Sequence, residues 1–337
     1  MKSSRYISVV GCHAEGEVGD VIVGGVRDVP AKTMKEKLLF FKENHEDLRH
    51  LLLHEPRGRL EMSAVLILAP CDPRADAGFV VMASGDWSPM SGSNTICTTT
   101  VMLETGMIPM KEPVTEVLFD TAAGLVKAEA RCEQGACKSV TLNNVPAFVY
   151  GLDLPVEVPG VGTVKVDIAF GGRWYLFVDA SSLGLRTSAE HAERLIDLGN
   201  RVKAAASEIH TPVHPESPEF SGIDNVGITE PLEHVDGEKI ARQAMVIKPG
   251  RLDRSPCGTG SSARLAILHA RGLLDVGEKI QFQSMIGTRF ICSIRGVTKV
   301  GEKDAVLPTV EGRGWITGYK QIVLDPSDPF QTGYRLN

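Results

Sequence analysis

Ser91-Gly92-Ser93-Asn94-Thr95 and Cys257-Gly258-Thr259-Gly260-Ser261-Ser262 echo each other along the chain. Each opens a helix-like run that stops at a glycine, Gly106 after the first and Gly272 after the second. The intervals agree, since 106 − 91 = 15 and 272 − 257 = 15. Glycines and small residues just before a helix leave its first backbone amides open. Together with the helix dipole, those amides form a site for an anion such as a carboxylate or phosphate. A base or nucleophile at such a mouth, present twice, suggests two catalytic groups facing one substrate from opposite sides. Here the first group is a hydroxyl, on Ser91, and the second a thiol, on Cys257. The same field is expected to lower the pKa of Cys257 and make it a base usable near neutral pH. The plain alternatives are an N-capping serine and a small buried cysteine in a turn. The Pro-Cys-Gly-Thr-Gly setting and the repeated interval favour the chemical reading.

A chain of 337 residues exceeds one ordinary core and fits two domains. Its 43% hydrophobic and 23% charged content is that of a soluble globular protein. Net charge is −6 and the basic residues are scattered, so no stripe points to nucleic acid. Residues 1–7 carry no apolar h-region, and the longest apolar run, 64–70, is far short of a membrane span. Seven cysteines, an odd number without zinc-type pairing, fit a reduced, cytoplasmic protein. The composition therefore points to no nucleic-acid or membrane partner; a small-molecule partner, in a monomer or homodimer, is expected.

Short β-branched runs bounded by Gly or Pro recur at 6–10, 21–26, 62–68, 78–83 and 114–120. Others follow at 138–142, 163–170, 174–178, 242–247, 279–282, 290–297, 305–310 and 312–317. They do not alternate regularly with helices, which argues against a doubly wound parallel sheet. A long amphipathic helix is expected over 34–53, opened by a capping box of Thr33 and Glu36. A second box, Thr187-Ser188-Ala189-Glu190, should open a helix with Leu195, Leu198, Val202 and Ala205 on one face. The echoed helices, 95–105 and 261–271, should end in left-handed caps at Gly106 and Gly272. Gly151, Pro155, Pro159, Gly160 and Gly162 cluster and set an expected domain change near 160. His210 and His214 have a metal-like spacing, but Pro212 and Pro215 break any helix that would align them, which leaves a loop.

The two opening segments also carry a resemblance. Residues 253–263 (DRSPCGTGSSA) resemble the second catalytic motif of the proline racemase family. Met90-Ser91-Gly92-Ser93-Asn94-Thr95 resembles its first, usually Met-Cys-Gly-His-Asn. His13-Ala14-Glu15-Gly16-Glu17, Glu55-Pro56-Arg57-Gly58, Asp120-Thr121-Ala122-Ala123-Gly124-Leu125-Val126 and Asp167-Ile168-Ala169-Phe170-Gly171-Gly172 also sit where family members carry similar segments. The resemblance implies an α+β chain of two pseudo-symmetric domains with the fold of diaminopimelate epimerase, each a mixed sheet around a central helix, with the active site between them. The expected domains are 1–160 and 161–319, with a C-terminal strand in 320–337 returning to the first. The resemblance also implies no pyridoxal phosphate, no metal and no other cofactor. The substrate carboxylate would bind Gly92, Ser93, Gly258 and Thr259, and Asp253 would contact the ring nitrogen of an imino acid. His13 and Glu17 would line the site or belong to a polar loop.

The departures from the family pattern set the expected reaction. A racemase of this kind uses two cysteines, one on each face of Cα; here Ser91 replaces the first, and Ser93 replaces the motif histidine. A hydroxyl is a far weaker acid than a thiol and needs an activating partner to act as a base. Symmetric two-base exchange should be slow, whereas β-elimination needs only one base and a nearby proton donor. Family members of this type resemble trans-3-hydroxy-L-proline dehydratases that form Δ1-pyrroline-2-carboxylate, some with hydroxyproline 2-epimerase activity. The expected activity is that dehydration, with Ser91 and Cys257 catalytic and either one removing the α-proton. A 4-hydroxyproline 2-epimerase is the alternative. A non-catalytic carboxylate or phosphate binder is the reading from a different class, although the Gly-Lys-Ser/Thr of a P-loop is missing.

Overall fold

The computed structural model describes residues 4–336; residues 1–3 and 337, at the ends of the expected domains, lie outside the described residues. The chain begins with β1 (Arg5–Ala14), β2 (Glu17–Gly24), α1 (Met34–Asn44), α2 (Glu46–Leu53), β3 (Met62–Leu68), β4 (Ala77–Ala83), β5 (Trp87–Ser88), α3 (Gly92–Glu104), β6 (Val114–Thr121), β7 (Gly124–Glu133) and β8 (Ala136–Asn143). It continues through β9 (Ala147–Val158), β10 (Gly162–Phe170), β11 (Trp174–Asp179), α4 (Ala192–Ile209), β12 (Asn225–Thr229), β13 (Glu233–Val235), β14 (Glu238–Ile247), β15 (Arg251–Leu252) and α5 (Gly258–Ala270). It ends with β16 (Lys279–Gln283), β17 (Arg289–Val300), β18 (Lys303–Gly312) and β19 (Gly314–Leu324).

The chain forms two compact units, Met1–Leu142 with Gly312–Asn337, and Asn143–Glu311. In the first, the strands run β19-β1-β2-β3-β4-β6-β7-β8, and successive pairs are antiparallel, antiparallel, parallel, antiparallel, parallel, antiparallel and antiparallel. In the second, the order β9-β10-β11-β12-β14-β16-β17-β18 repeats the same series of directions. There β18 also pairs with β9, through Ala305 with Phe148 and Val306 with Ala147, which closes the second sheet on itself. Each unit is thus an α+β assembly with a mixed sheet around one central helix, α3 in the first and α5 in the second.

Both central helices are buried on all sides, as helices inside a sheet must be. The threonine-rich α3 tolerates this because its hydroxyls find carbonyls one turn back. Thr95 donates to Ser91 O, Thr98 to Asn94 O and Thr99 to Thr95 O, each at 2.8 Å. Gly106 and Gly272 follow the two helices at φ 73° and 67°, the left-handed conformation expected of them. The outer core of the first unit packs α1 and α2 on the sheet through Phe41, Leu48 and Trp87. That of the second packs α4 on the sheet through Leu195, Val202 and Ala206, with Leu198 and Ala205 partly buried beside them.

Several local expectations are corrected. The helix expected over 34–53 is interrupted at His45 (φ −135°, ψ 33°), where Asn44 Nδ2 caps Phe40 O at 2.9 Å. Thr33 does accept from Glu36 N, but the Glu36 carboxylate reaches back to Lys32 N. Thr187 does not box with Glu190; its N–H and hydroxyl both bind Glu230 Oε1, and α4 starts later, at Ala192. The Gly/Pro cluster near 160 is a hairpin inside the second unit, because β9 pairs with β10 from Phe148 to Val158. Asp153 there has φ 51° and supplies a β-bulge, and Pro155 is accommodated on β9 opposite Lys165. The units therefore divide at 142/143 and 311/312 rather than near 160 and 320, and β19 pairs with β1 from Gly314 onward.

Candidate functional site

Ser91 precedes α3 with extended backbone (φ −149°, ψ 128°) and stands at the N-cap position. Among the described residues, its side chain makes no capping bond, so the plain reading of this serine does not hold. Instead Ser91 Oγ accepts from Asn94 Nδ2 at 3.0 Å and lies 3.4 Å from Ser93 Oγ. Asn94 is itself fixed by Ser63, whose hydroxyl lies 2.9 Å from Asn94 Oδ1 and 2.7 Å from Val18 O. Gly92 and Ser93 form the first residues of α3, so Ser91, Gly92 and Ser93 stand together at one helix mouth. On β1, His13 stacks on Trp315 with ring centroids 5.1 Å apart, and burial lowers its pKa. Glu17 is buried on β2.

In the second unit Cys257 occupies the same position before α5, but with φ 68°. That is the left-handed region, which a non-glycine residue adopts only when its surroundings impose it. Those surroundings are well defined. Ser255 Oγ accepts from Cys257 N at 3.1 Å, and Asp253 Oδ1 accepts from both the N–H and hydroxyl of Ser255 at 2.9 Å. Gln243 Nε2 donates to Pro256 O at 2.6 Å and to Ser261 Oγ at 2.9 Å. Asp253, Cys257, Gly258 and Thr259 are thereby gathered at the second helix mouth. The Thr259 hydroxyl lies 2.8 Å from Tyr175 Oη.

The expected low pKa of Cys257 is not found. Burial, reinforced by the Asp253 carboxylate, pushes its thiol up to about 12. The Tyr175 hydroxyl and the Gly260 amide oppose this and favour the thiolate, without overcoming burial. At rest Cys257 is a protonated thiol.

Sequence reasoning passed over Tyr175, whose Oη lies 3.1 Å from Cys257 Sγ. The signal was the two-residue period of β11. Trp174, Leu176 and Val178 enter the outer core, while Tyr175 and Phe177 turn to α5. Tyr175 is the one hydroxyl on that inner face. Trp174 donates to Phe220 O at 3.0 Å and is core. His214 lies edge-on to Phe148 and Phe170 in the loop after α4. Among the described residues no group of three or more His, Cys, Asp or Glu could hold a metal ion. Nor is any described helix long and apolar enough to cross a membrane. Cys97, on α3, is fully buried beside Cys12.

Known proteins match this chain along its length. The family described as proline racemase matches residues 9–335. A hydroxyproline epimerase from Agrobacterium vitis, solved with bound trans-4-hydroxy-L-proline, is 41% identical, with 100% of this chain and 97% of that chain covered at a TM-score of 0.90. A probable proline racemase from Agrobacterium radiobacter K84, solved with carbonate, is 40% identical, with 98% and 96% covered at 0.89. A phenazine biosynthesis protein of the PhzF family from Bacillus anthracis, 12% identical with 96% and 100% covered at 0.59, shares the fold.

Proposed function

The chain belongs to the proline racemase family, and from that premise we propose that it dehydrates trans-3-hydroxy-L-proline to Δ1-pyrroline-2-carboxylate, with hydroxyproline 2-epimerisation as a weaker activity. The coarser statement, an enzyme of the amino-acid racemase and epimerase class, rests on the family match and the hydroxyproline epimerase neighbour. The observation that carries the finer one is Ser91, a hydroxyl held by Asn94 where the family motif has a thiol. Ser91 and Cys257 would serve the two faces of Cα. Gly92, Ser93, Gly258 and Thr259 would hold the carboxylate, and Asp253 the ring nitrogen.

The stereochemistry of the substrate supports elimination with a single thiol. In the trans isomer the carboxylate and the 3-hydroxyl lie on opposite ring faces, so the α-hydrogen and the hydroxyl share one face. A group on that face can take the α-proton and return it to the departing oxygen. The Cα–H electrons form the Cα–Cβ double bond as the C–O bond breaks, water leaves, and the enamine tautomerises to the cyclic imine. Incubation with trans-3-hydroxy-L-proline should yield that imine. Rapid interconversion of 4-hydroxyproline epimers with no imine would reject dehydration. The second reading, 4-hydroxyproline 2-epimerase as the main activity, is favoured by the neighbour solved with trans-4-hydroxy-L-proline.

A further inference from the structure

Three polar side chains, those of Tyr175, Cys257 and Thr259, meet at the start of α5. Tyr175 Oη is 3.1 Å from Cys257 Sγ and 2.8 Å from Thr259 Oγ1, and the sulfur and the threonine oxygen are 3.9 Å apart. The tyrosine is 1% exposed and packs among Ala169, Phe177, Met245, Ala263 and Ile267. Gly260 admits its ring, since a Cβ there would lie 3.1 Å from Tyr175 Cε1 and 2.9 Å from Met245 Cε.

A phenol has one hydrogen and can send it either way. With Cys257 as a thiol, S–H donates to Oη and Oη donates to Thr259. With Cys257 as a thiolate the chain reverses, so that Thr259 donates to Oη and Oη donates to sulfur. Both protonation states keep the two bonds, and only hydrogens move. The charged groups around the chain are Asp253, from the loop before α5, which opposes a thiolate by its charge and as a second acceptor for the thiol hydrogen, and Arg173, beside β11, which acts on Tyr175. Burial and the neighbouring Cys257 hold the Tyr175 hydroxyl far above the usual phenol range, so it keeps the hydrogen it must donate.

Resting on the reading that Cys257 transfers a proton at Cα, we infer that Tyr175 is a positioning residue for Cys257, its hydroxyl the reversible centre of a Thr259–Tyr175–Cys257 chain that holds the sulfur and stabilises its anion. Tyr175→Phe keeps the ring and removes the link. Turnover should fall about tenfold or more while KM moves less than about threefold. The rate of Cys257 alkylation by iodoacetamide across pH 7–9, where the protein is folded, read by peptide mass spectrometry, should fall about tenfold, as it does when a thiol pKa rises by about one unit. Thr259→Val should shift it the same way by less, and it carries the test if thermal melting shows that Tyr175→Phe is unfolded. Unchanged alkylation profiles would overturn the inference. Cys257→Ala separates the two levels of the argument through α-proton exchange in deuterated water. Exchange that survives Cys257→Ala would overturn the role given to Cys257. Exchange lost there, with a wild-type profile in Tyr175→Phe, would overturn the role of Tyr175 alone.

Discussion

At the scale of single residues, Ser91 and Cys257 occupy equivalent places and are held by different means. Ser91 Oγ receives a hydrogen bond from Asn94 Nδ2, which leaves the serine hydrogen free to be donated and favours any negative charge that develops on the oxygen. Cys257 is a thiol at rest, pushed up to about 12 by burial and by Asp253. Two such weak resting acids suit a reaction in which a proton is taken and passed on within one ring face better than one in which both faces exchange. Restoring a thiol tests this. Ser91→Cys should raise 2-epimerisation of 4-hydroxyproline about tenfold or more, within the range ascribed to a positioned acid or base. Polarimetry or chiral chromatography reads the change, and an unaltered rate would remove the two-base argument.

At the scale of elements, the two central helices depend on close approach of the strands that frame them. Gly171, at the β10–β11 turn, lies so near α5 that a Cβ there would come within 2.4 Å of both Ala263 N and Thr259 O. Those are backbone atoms and cannot swing aside. Gly171→Ala should therefore destabilise the protein by about 1–3 kcal/mol, as overpacking does, and displace Thr259. A fall in the urea midpoint accompanied by a rise in KM would express both effects; an unchanged midpoint would show that the turn yields. The central helices were legible in the sequence because glycines bracket them at equal intervals, and β3 and β10 because their apolar runs end at turn residues. The split at His45 was not legible, since α1 and α2 continue one amphipathic pattern and only the Asn44 side chain breaks it. β9 was hidden by its own Pro155 and Gly151, which a bulge and the pairing with β10 accommodate. At the candidate site the helix mouths were legible as chemistry, but the depth of burial that raises the Cys257 pKa depends on Met245, Ile267 and other residues distant in sequence.

At the scale of the whole chain, the two units repeat one series of strand directions, and β19 stands in the first where β9 stands in the second. The C-terminal strand thus completes a sheet begun at the N-terminus, which no local pattern in residues 314–324 could announce. The groups spread through both units also set a common pH window for stability. Burial pushes the thiols of Cys137 and Cys257 up to about 12 from an ordinary 9.0. Their folded-state pKa values are raised, so the stability gained by burying neutral thiols is complete below about pH 9 and is lost as pH climbs from there toward 12. Burial also lowers His54 to about 4 from 6.5, with Arg335 and His50 adding to the effect, and it lowers His13, His50 and His214 in the same direction. A depressed folded-state pKa contributes stability that is complete above about 6.5 and lost as pH falls toward 4. The melting temperature should therefore be flat between about pH 7 and pH 9 and fall on both sides. Scanning calorimetry across pH 4–11 reads this directly. A melting temperature that went on rising above pH 9 would mean that the thiols are not held neutral in the folded protein, and Cys257 would then have the low pKa expected of a helix mouth.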